Sequence, residues 1–176
     1  MKRNALISVY DKSSLNKICY VLKKFNIGII STGATAKKII SLGYKCKEIS
    51  NLTKFKEILD GRVKTLHPKI HSGILFKRDN KKHIKQMKLQ KFKNIDLIIV
   101  NFYPFEKTVL KTKNENKIVE NIDIGGPALA RSAAKNFKHV TVLTSNNQLE
   151  SLIQEINTNK GSTSLEFRKK LSQSAF

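Results

Sequence analysis

Short apolar runs alternate along this chain with longer segments whose apolar residues recur every three or four positions. ALISV at 5–9, IGIIS at 27–31, KCKEI at 45–49, IDLIIVN at 95–101 and VTVLT at 140–144 predict five strands. The run at 95–101 is apolar with little alternation, as a strand buried on both faces requires. Leu15, Ile18, Cys19 and Leu22 form one stripe on a predicted helix over 12–24, which Ser13 or Ser14 can cap. Further helices are predicted over 35–42, closed by Gly43, over 53–59, over 127–137 with Pro127 in the first turn, over 147–157 and over 163–176. Such strand–helix alternation predicts a parallel sheet with helices on both faces. The charged run 77–93 has only a thin apolar stripe of Ile84, Met87 and Leu89 and reads as a solvated helix.

The length of 176 residues suits one domain with a real core. A formal net charge of +21 points first to nucleic acid. Yet only five of the 34 basic residues are Arg, and the lysines are spread over the whole chain. Readers of bases and phosphates favour the planar fork of Arg. The charge is therefore assigned to a solvated surface, and nucleic acid is not the expected partner. Cys19 and Cys46 stand too far apart for zinc spacing. No apolar run approaches a membrane span and no signal-peptide core follows Met1-Lys2-Arg3, so a cytoplasmic protein is expected, with no membrane partner.

In open parallel sheets ligands bind at the carboxyl ends of the strands. STGAT at 31–35 lies there, with hydroxyls beside the free amides of a helix start, a turn suited to an anion. Ser and Thr at that place also serve as plain caps. Lys12 is near enough to add charge. Gly125-Gly126-Pro127 opens a helix whose amides point toward Asp123 and could stabilise an oxyanion, with Lys135 two turns further along. In NFYPF at 101–105, Asn101 and Tyr103 offer polar groups, although the aromatics could equally close the core. DGRVKTLHPKIHSGIL at 60–75 holds His67 and His71 at the four-residue spacing of metal ligands on a helix, but Pro68 between them argues against that helix. Arg62, Lys64 and Thr65 suit an anionic substrate better.

Taken together, SVxDK (8–12), STGxTA (31–36), DGRVKTLHPKIHxGIL (60–75), DLxxVNxYPF (96–105) and ENIDIGGPxxxRxAAKN (120–136) resemble, in order and spacing, the inosine monophosphate cyclohydrolase domain of bifunctional purine-biosynthesis proteins. The resemblance covers essentially the whole chain. It implies a methylglyoxal-synthase-like three-layer α/β/α fold with a mainly parallel five-stranded sheet. It implies closure of 5-formamidoimidazole-4-carboxamide ribonucleotide to inosine monophosphate with loss of water, without metal or organic cofactor. Positions matching Lys64, Tyr103, Asp123 and Lys135 are catalytic in the family. Those matching Ser8, Lys12, Thr32, Gly33, Ala34, Thr35, Arg62, Thr65 and Asn101 bind the purine ribonucleotide, and the amides of Ile124 and Gly125 suit the oxyanion.

Two positions depart from the family pattern: Ala34 replaces a usual Gly, which would be strained if φ were positive there, and Tyr10 replaces a usual Ser or Thr. The expected organisation is one cyclohydrolase domain over 1–176, with a linker helix beginning within 163–176. The family's formyltransferase domain is absent from this sequence, so a separate formyltransferase chain is a possible partner. A homodimer is also expected. The competing readings are a non-catalytic basic module binding nucleotides or RNA, and a lyase of the methylglyoxal-synthase type, against which the DGRVKTLHPKIH motif speaks.

Overall fold

The computed structural model describes residues 2–176. Five parallel strands form one sheet: β1 (Asn4–Val9), β2 (Gly28–Ser31), β3 (Lys47–Glu48), β4 (Leu97–Asn101) and β5 (Thr141–Leu143), in the order β3-β2-β1-β4-β5. The sheet grows outward in opposite directions from β1 and β4, which pair from Ala5↔Leu97 to Val9↔Asn101. That reversal of strand order opens a crevice at their carboxyl ends. Leu97, Ile98, Ile99 and Val100 are all buried, which accounts for the unbroken apolar run.

Helices cover both faces. α1 (Leu15–Lys24) packs against α2 (Gly33–Ser41) and against α9 (Leu149–Thr158) on one side. On the other, α8 (Gly125–Lys135) packs on β4 and β5 and against α4 (Pro68–Leu75) and α10 (Leu165–Ser174). The buried stripe of α1 is the expected one with Val21 added. Cys19 is a free thiol wholly inside that core, and burial pushes its pKa up to about 12, so it is inert. Gly43 follows α2 with φ +82, as its closing role requires.

The structure corrects several boundaries. The third strand is only Lys47–Glu48, because Ile49 turns inward to begin α3 (Ile49–Thr53). A helix over 53–59 does not form; Lys54 ends α3 in the left-handed conformation, φ +62, and residues 54–58 are exposed. Neither Ser13 nor Ser14 caps α1 with its side chain; Asp11 accepts the Ser13 amide at 2.9 Å instead. Pro68 occupies the first turn of α4, where its missing N–H costs nothing, and His67 stays outside that helix as its extended N-cap, so His67 and His71 are not aligned on one helix, as expected. The charged run forms α5 (Lys81–Leu89), of which only Met87 is buried. α6 (Phe105–Lys111) and α7 (Glu115–Glu120), which the sequence pattern did not indicate, pack mainly on each other and bury no side chain.

Candidate active site

A cleft of about 500 Å³ opens at the carboxyl ends of β1 and β4. Its walls are the end of β1 (Ser8, Tyr10, Lys12), the start of α2 (Thr32 to Thr35), the loop carrying Arg62, Lys64 and Thr65, the end of β4 (Asn101, Tyr103) and the approach to α8 (Asp123 to Gly126). Every residue given a catalytic or nucleotide-binding role by the family resemblance lines it except Lys135.

The β2–α2 turn divides its hydroxyls differently from expectation. Ser31 Oγ donates to the Ile7 carbonyl at 2.7 Å and Thr35 Oγ1 to the Val9 carbonyl at 3.0 Å. Both side chains are buried, and these two hydrogen bonds fix the turn to β1. Thr32 sits at the N-cap without capping through its side chain. The first-turn amides of α2, which have no acceptor inside the helix, are therefore left for an anion. Ala34 does not have positive φ, so its methyl group carries no backbone strain.

The loop opposite is wound unusually. Leu59, Asp60 and Gly61 have φ of +55, +53 and +88, three left-handed residues in succession. A bridge between Ile58 and Val63 closes the loop and holds this conformation. The winding lays Lys64 across Gly61, where any Cβ would meet Lys64 Cε at 2.6 Å. Lys64 Nζ is thereby directed toward Gly33 and pairs with Glu57 at 3.1 Å. Arg62 forms an ion pair with Glu120, at the end of α7, and both side chains are exposed. Lys12 Nζ donates to the Tyr10 carbonyl at 3.0 Å.

Asn101 proves to be a tie. Its Oδ1 accepts the amides of Tyr10 at 2.6 Å and Asp11 at 3.0 Å, and its Nδ2 donates to the Asp11 carbonyl and to Asn146 Oδ1, each at 3.0 Å. Asn146 in turn donates to Asp11 Oδ2 at 2.7 Å. The Ser13 hydrogen bonds, with help from Asn146 and Lys12, hold the Asp11 carboxyl below its ordinary pKa. Asn101 thus joins the loops after β1, β4 and β5 while presenting only part of its surface to the cleft. Tyr103 does not close the core: its ring is 47% exposed and stands edge-on to Tyr10, with centroids 5.5 Å apart and planes at 66°.

At the α8 entrance Asp123 Oδ1 accepts the Gly126 amide at 2.8 Å. A Cβ on Gly126 would lie 2.5 Å from Asp123 Oδ2, so this carboxylate position requires glycine there. The hydroxyl of Thr65 takes the same kind of place beside Gly125. Asp123 is therefore oriented by the backbone and half-buried, facing the cleft. Lys135 is not brought in. It lies ten residues beyond Gly125 on α8, about 15 Å along the axis, exposed in the last turn.

The two histidines do structural work. His67 caps α4, its Nδ1 accepting the Lys69 amide at 3.1 Å. His71 lies inside α4, with Nδ1 2.9 Å from Ser132 Oγ of α8 and a buried Nε2 that has no hydrogen-bond partner. Burial pushes its pKa below the ordinary histidine value, partly offset by the Thr65 backbone.

Tyr10, Asp60 and Glu120, to which no role was assigned from the sequence, also line the cleft. Glu120 opens the quoted ENIDIGG motif, but a carboxylate is not sought where an anion is to bind. With Asp60, Glu120 and Asp123 facing Lys12, Arg62 and Lys64, the lining balances three acids against three bases.

Among known families, the MGS-like domain matches residues 15–128 and the AICARFT/IMPCHase bienzyme matches 133–176. The chain is 46% identical over 172 residues to the bifunctional purine biosynthesis protein PurH of Bradyrhizobium diazoefficiens, covering 98% of this chain and 32% of that protein. It is 47% identical over 176 residues to the protein of the same name from Persephonella marina, covering 100% and 34%. The chain thus spans about a third of the length of these curated relatives. The crystal structure of ForH superposes with a TM-score of 0.87 at 27% identity, over 100% of this chain and 92% of that one. No helix among the described residues is long and apolar enough to cross a membrane.

Proposed function

The chain belongs to the MGS-like domain family, and on that premise we propose that it is an inosine monophosphate cyclohydrolase, closing 5-formamidoimidazole-4-carboxamide ribonucleotide to inosine monophosphate. One observation carries the reading. Lys64, Tyr103 and Asp123 line the same cleft as the uncapped first turn of α2. A phosphate-sized anion site and three groups able to handle charge and protons therefore share one crevice.

In this scheme the 5′-phosphate rests on the amides of Gly33, Ala34 and Thr35, with Lys12 and Arg62 adding charge. The carboxamide nitrogen attacks the formyl carbon, forming a C–N bond and a tetrahedral oxyanion. Reaction partners within one molecule need mainly positioning, which the cleft walls supply. Lys64, kept close to a carboxylate by Glu57, stabilises the oxyanion together with the amides of Ile124 and Gly125. Asp123 takes the proton from the attacking nitrogen. Tyr103 protonates the oxyanion to a hydroxyl; the C–O bond then breaks as protonated Asp123 returns its proton to the hydroxyl, which leaves as water, while the former formamido nitrogen gives its N–H proton to the Tyr103 phenolate and forms the C=N bond. Lys135 takes no part in the scheme within a single chain.

The same reading makes the purine ribonucleotide the partner and extends the cyclohydrolase domain over 1–176. It includes a homodimer in the cytoplasm and a formyltransferase unit that supplies the formylated substrate; the relatives are named as bifunctional. Incubating the purified chain with the formylated ribonucleotide and following the inosine monophosphate absorbance tests the activity. Product formation proportional to enzyme is expected. No product at high enzyme concentration would overturn the assignment.

A further inference from the structure

We propose that Tyr10 is a positioning residue for the ring closure, its ring holding that of Tyr103 so that the Tyr103 hydroxyl stays at the reacting atoms. The inference rests on the reading of Tyr103 as proton donor and acceptor in the cyclohydrolase scheme. Val9 and Asn101 form the last pair of the β1–β4 register, and Tyr10 lies one residue beyond that pair and Tyr103 two. The divergence that opens the cleft therefore brings these two rings together. They are the only aromatic pair among the described residues with both rings in the cleft lining.

The two tyrosines are not held alike. Tyr10 is fastened on both sides of its Cα: its amide donates to Asn101 Oδ1 at 2.6 Å and its carbonyl accepts from Lys12 Nζ at 3.0 Å. Tyr103 lies between β4 and α6, outside both, with its ring half exposed. A half-exposed side chain on a loop has several staggered rotamers open to it. The scheme uses Tyr103 twice, first giving a proton and then taking one. Its oxygen has to remain within hydrogen-bond reach of the reacting atoms through both steps. An edge-on contact, with centroids 5.5 Å apart and planes at 66°, favours one ring orientation over the others by roughly two- to tenfold. The contact is made by the rings, so the hydroxyl of Tyr10 is dispensable to it.

The test is steady-state ring closure by the wild-type chain, Tyr10→Phe, Tyr10→Leu, Tyr103→Phe and the Tyr10→Leu/Tyr103→Phe double variant. Tyr10→Leu is expected to lower kcat by about fivefold and to move KM by less than about twofold. Tyr10→Phe should keep kcat within about twofold of wild type, because the ring remains. In the Tyr103→Phe background there is no hydroxyl to place, so adding Tyr10→Leu should leave kcat unchanged. Wild-type kcat in Tyr10→Leu overturns the proposal, as does a loss that persists undiminished in the Tyr103→Phe background. A loss in Tyr10→Phe equal to that in Tyr10→Leu, or a rise in KM alone, also overturns it. Where Tyr103→Phe turns over too slowly to compare, fluorine NMR of the chain labelled with 3-fluorotyrosine follows the Tyr103 ring without turnover. Tyr10→Leu should move the Tyr103 line toward the position of the free amino acid, and an unmoved line overturns the proposal. Absence of product from the wild type removes the cyclohydrolase reading instead, and the fluorine line still reports whether Tyr10 holds the ring.

Discussion

Asn101 Oδ1 accepts the Tyr10 amide at 2.6 Å, so the last residue of β4 holds the chain as it leaves β1. The two strands diverge at this point, and the cleft lies between their ends. The same side chain reaches Asn146 after β5, so one amide group sets the spacing of three loops. Asn101→Ala is expected to cost about 1 kcal/mol in urea unfolding, since the freed amides can reach water. Turnover should fall more than stability predicts, because Tyr10 and Lys12 lose their anchor. Equal KM and kcat at unchanged fold would show that the tie does not position the site.

Lys64 and Gly61 form a second dependent pair. Lys64→Met removes the ammonium that the proposed scheme sets against the oxyanion and should lower kcat by about 100-fold with little effect on the unfolding midpoint. Gly61→Ala should do damage of both kinds. Its φ of +88 disfavours any side chain, and the new methyl group meets Lys64. A destabilisation of about 1–3 kcal/mol accompanied by loss of turnover is expected, measured by denaturant unfolding and by the ring-closure assay.

Ser31 and Thr35 distinguish a fastening turn from a turn that touches the ligand through its hydroxyls. Their hydroxyls are committed to β1 carbonyls. Ser31→Ala and Thr35→Val should each lower stability by about 1–2 kcal/mol and leave nucleotide affinity nearly constant. A large rise in Kd without destabilisation would place the hydroxyls on the phosphate instead.

His71 makes the fold sensitive to mild acid. In the unfolded chain histidine titrates near 6.5, whereas burial against α8 lowers the folded value. Below pH 6.5 the unfolded state therefore binds more protons. Stability contributed by neutral His71 is fully present above that pH and is lost as the pH falls through the folded pKa. His139 shifts in the same direction, so the comparison must isolate one site. His71→Gln should lose less stability than the wild type between pH 7.5 and pH 5.5 by urea midpoint, even if it starts from a lower value. Identical losses would assign the acid sensitivity elsewhere.

The alternation of apolar runs and amphipathic segments determined the layered parallel sheet, because strands covered on both faces must be apolar throughout, as Leu97 to Val100 are. Motif residues also located the cleft, since the carboxyl ends of β1, β2 and β4 converge wherever strand order reverses. Partners within the cleft lay beyond such patterns. Which protein groups Ser31, Arg62 and Asn101 meet, the Ile7 carbonyl, Glu120 and the Tyr10 amide, is set by contacts between residues 24, 58 and about 90 positions apart. The same holds for Lys135, which shares a motif with Asp123 yet is carried away by the length of α8. Local periodicity specifies which face of an element is buried. Only the packed tertiary structure decides which polar group each side chain meets, because that choice depends on long-range geometry rather than on spacing along the chain.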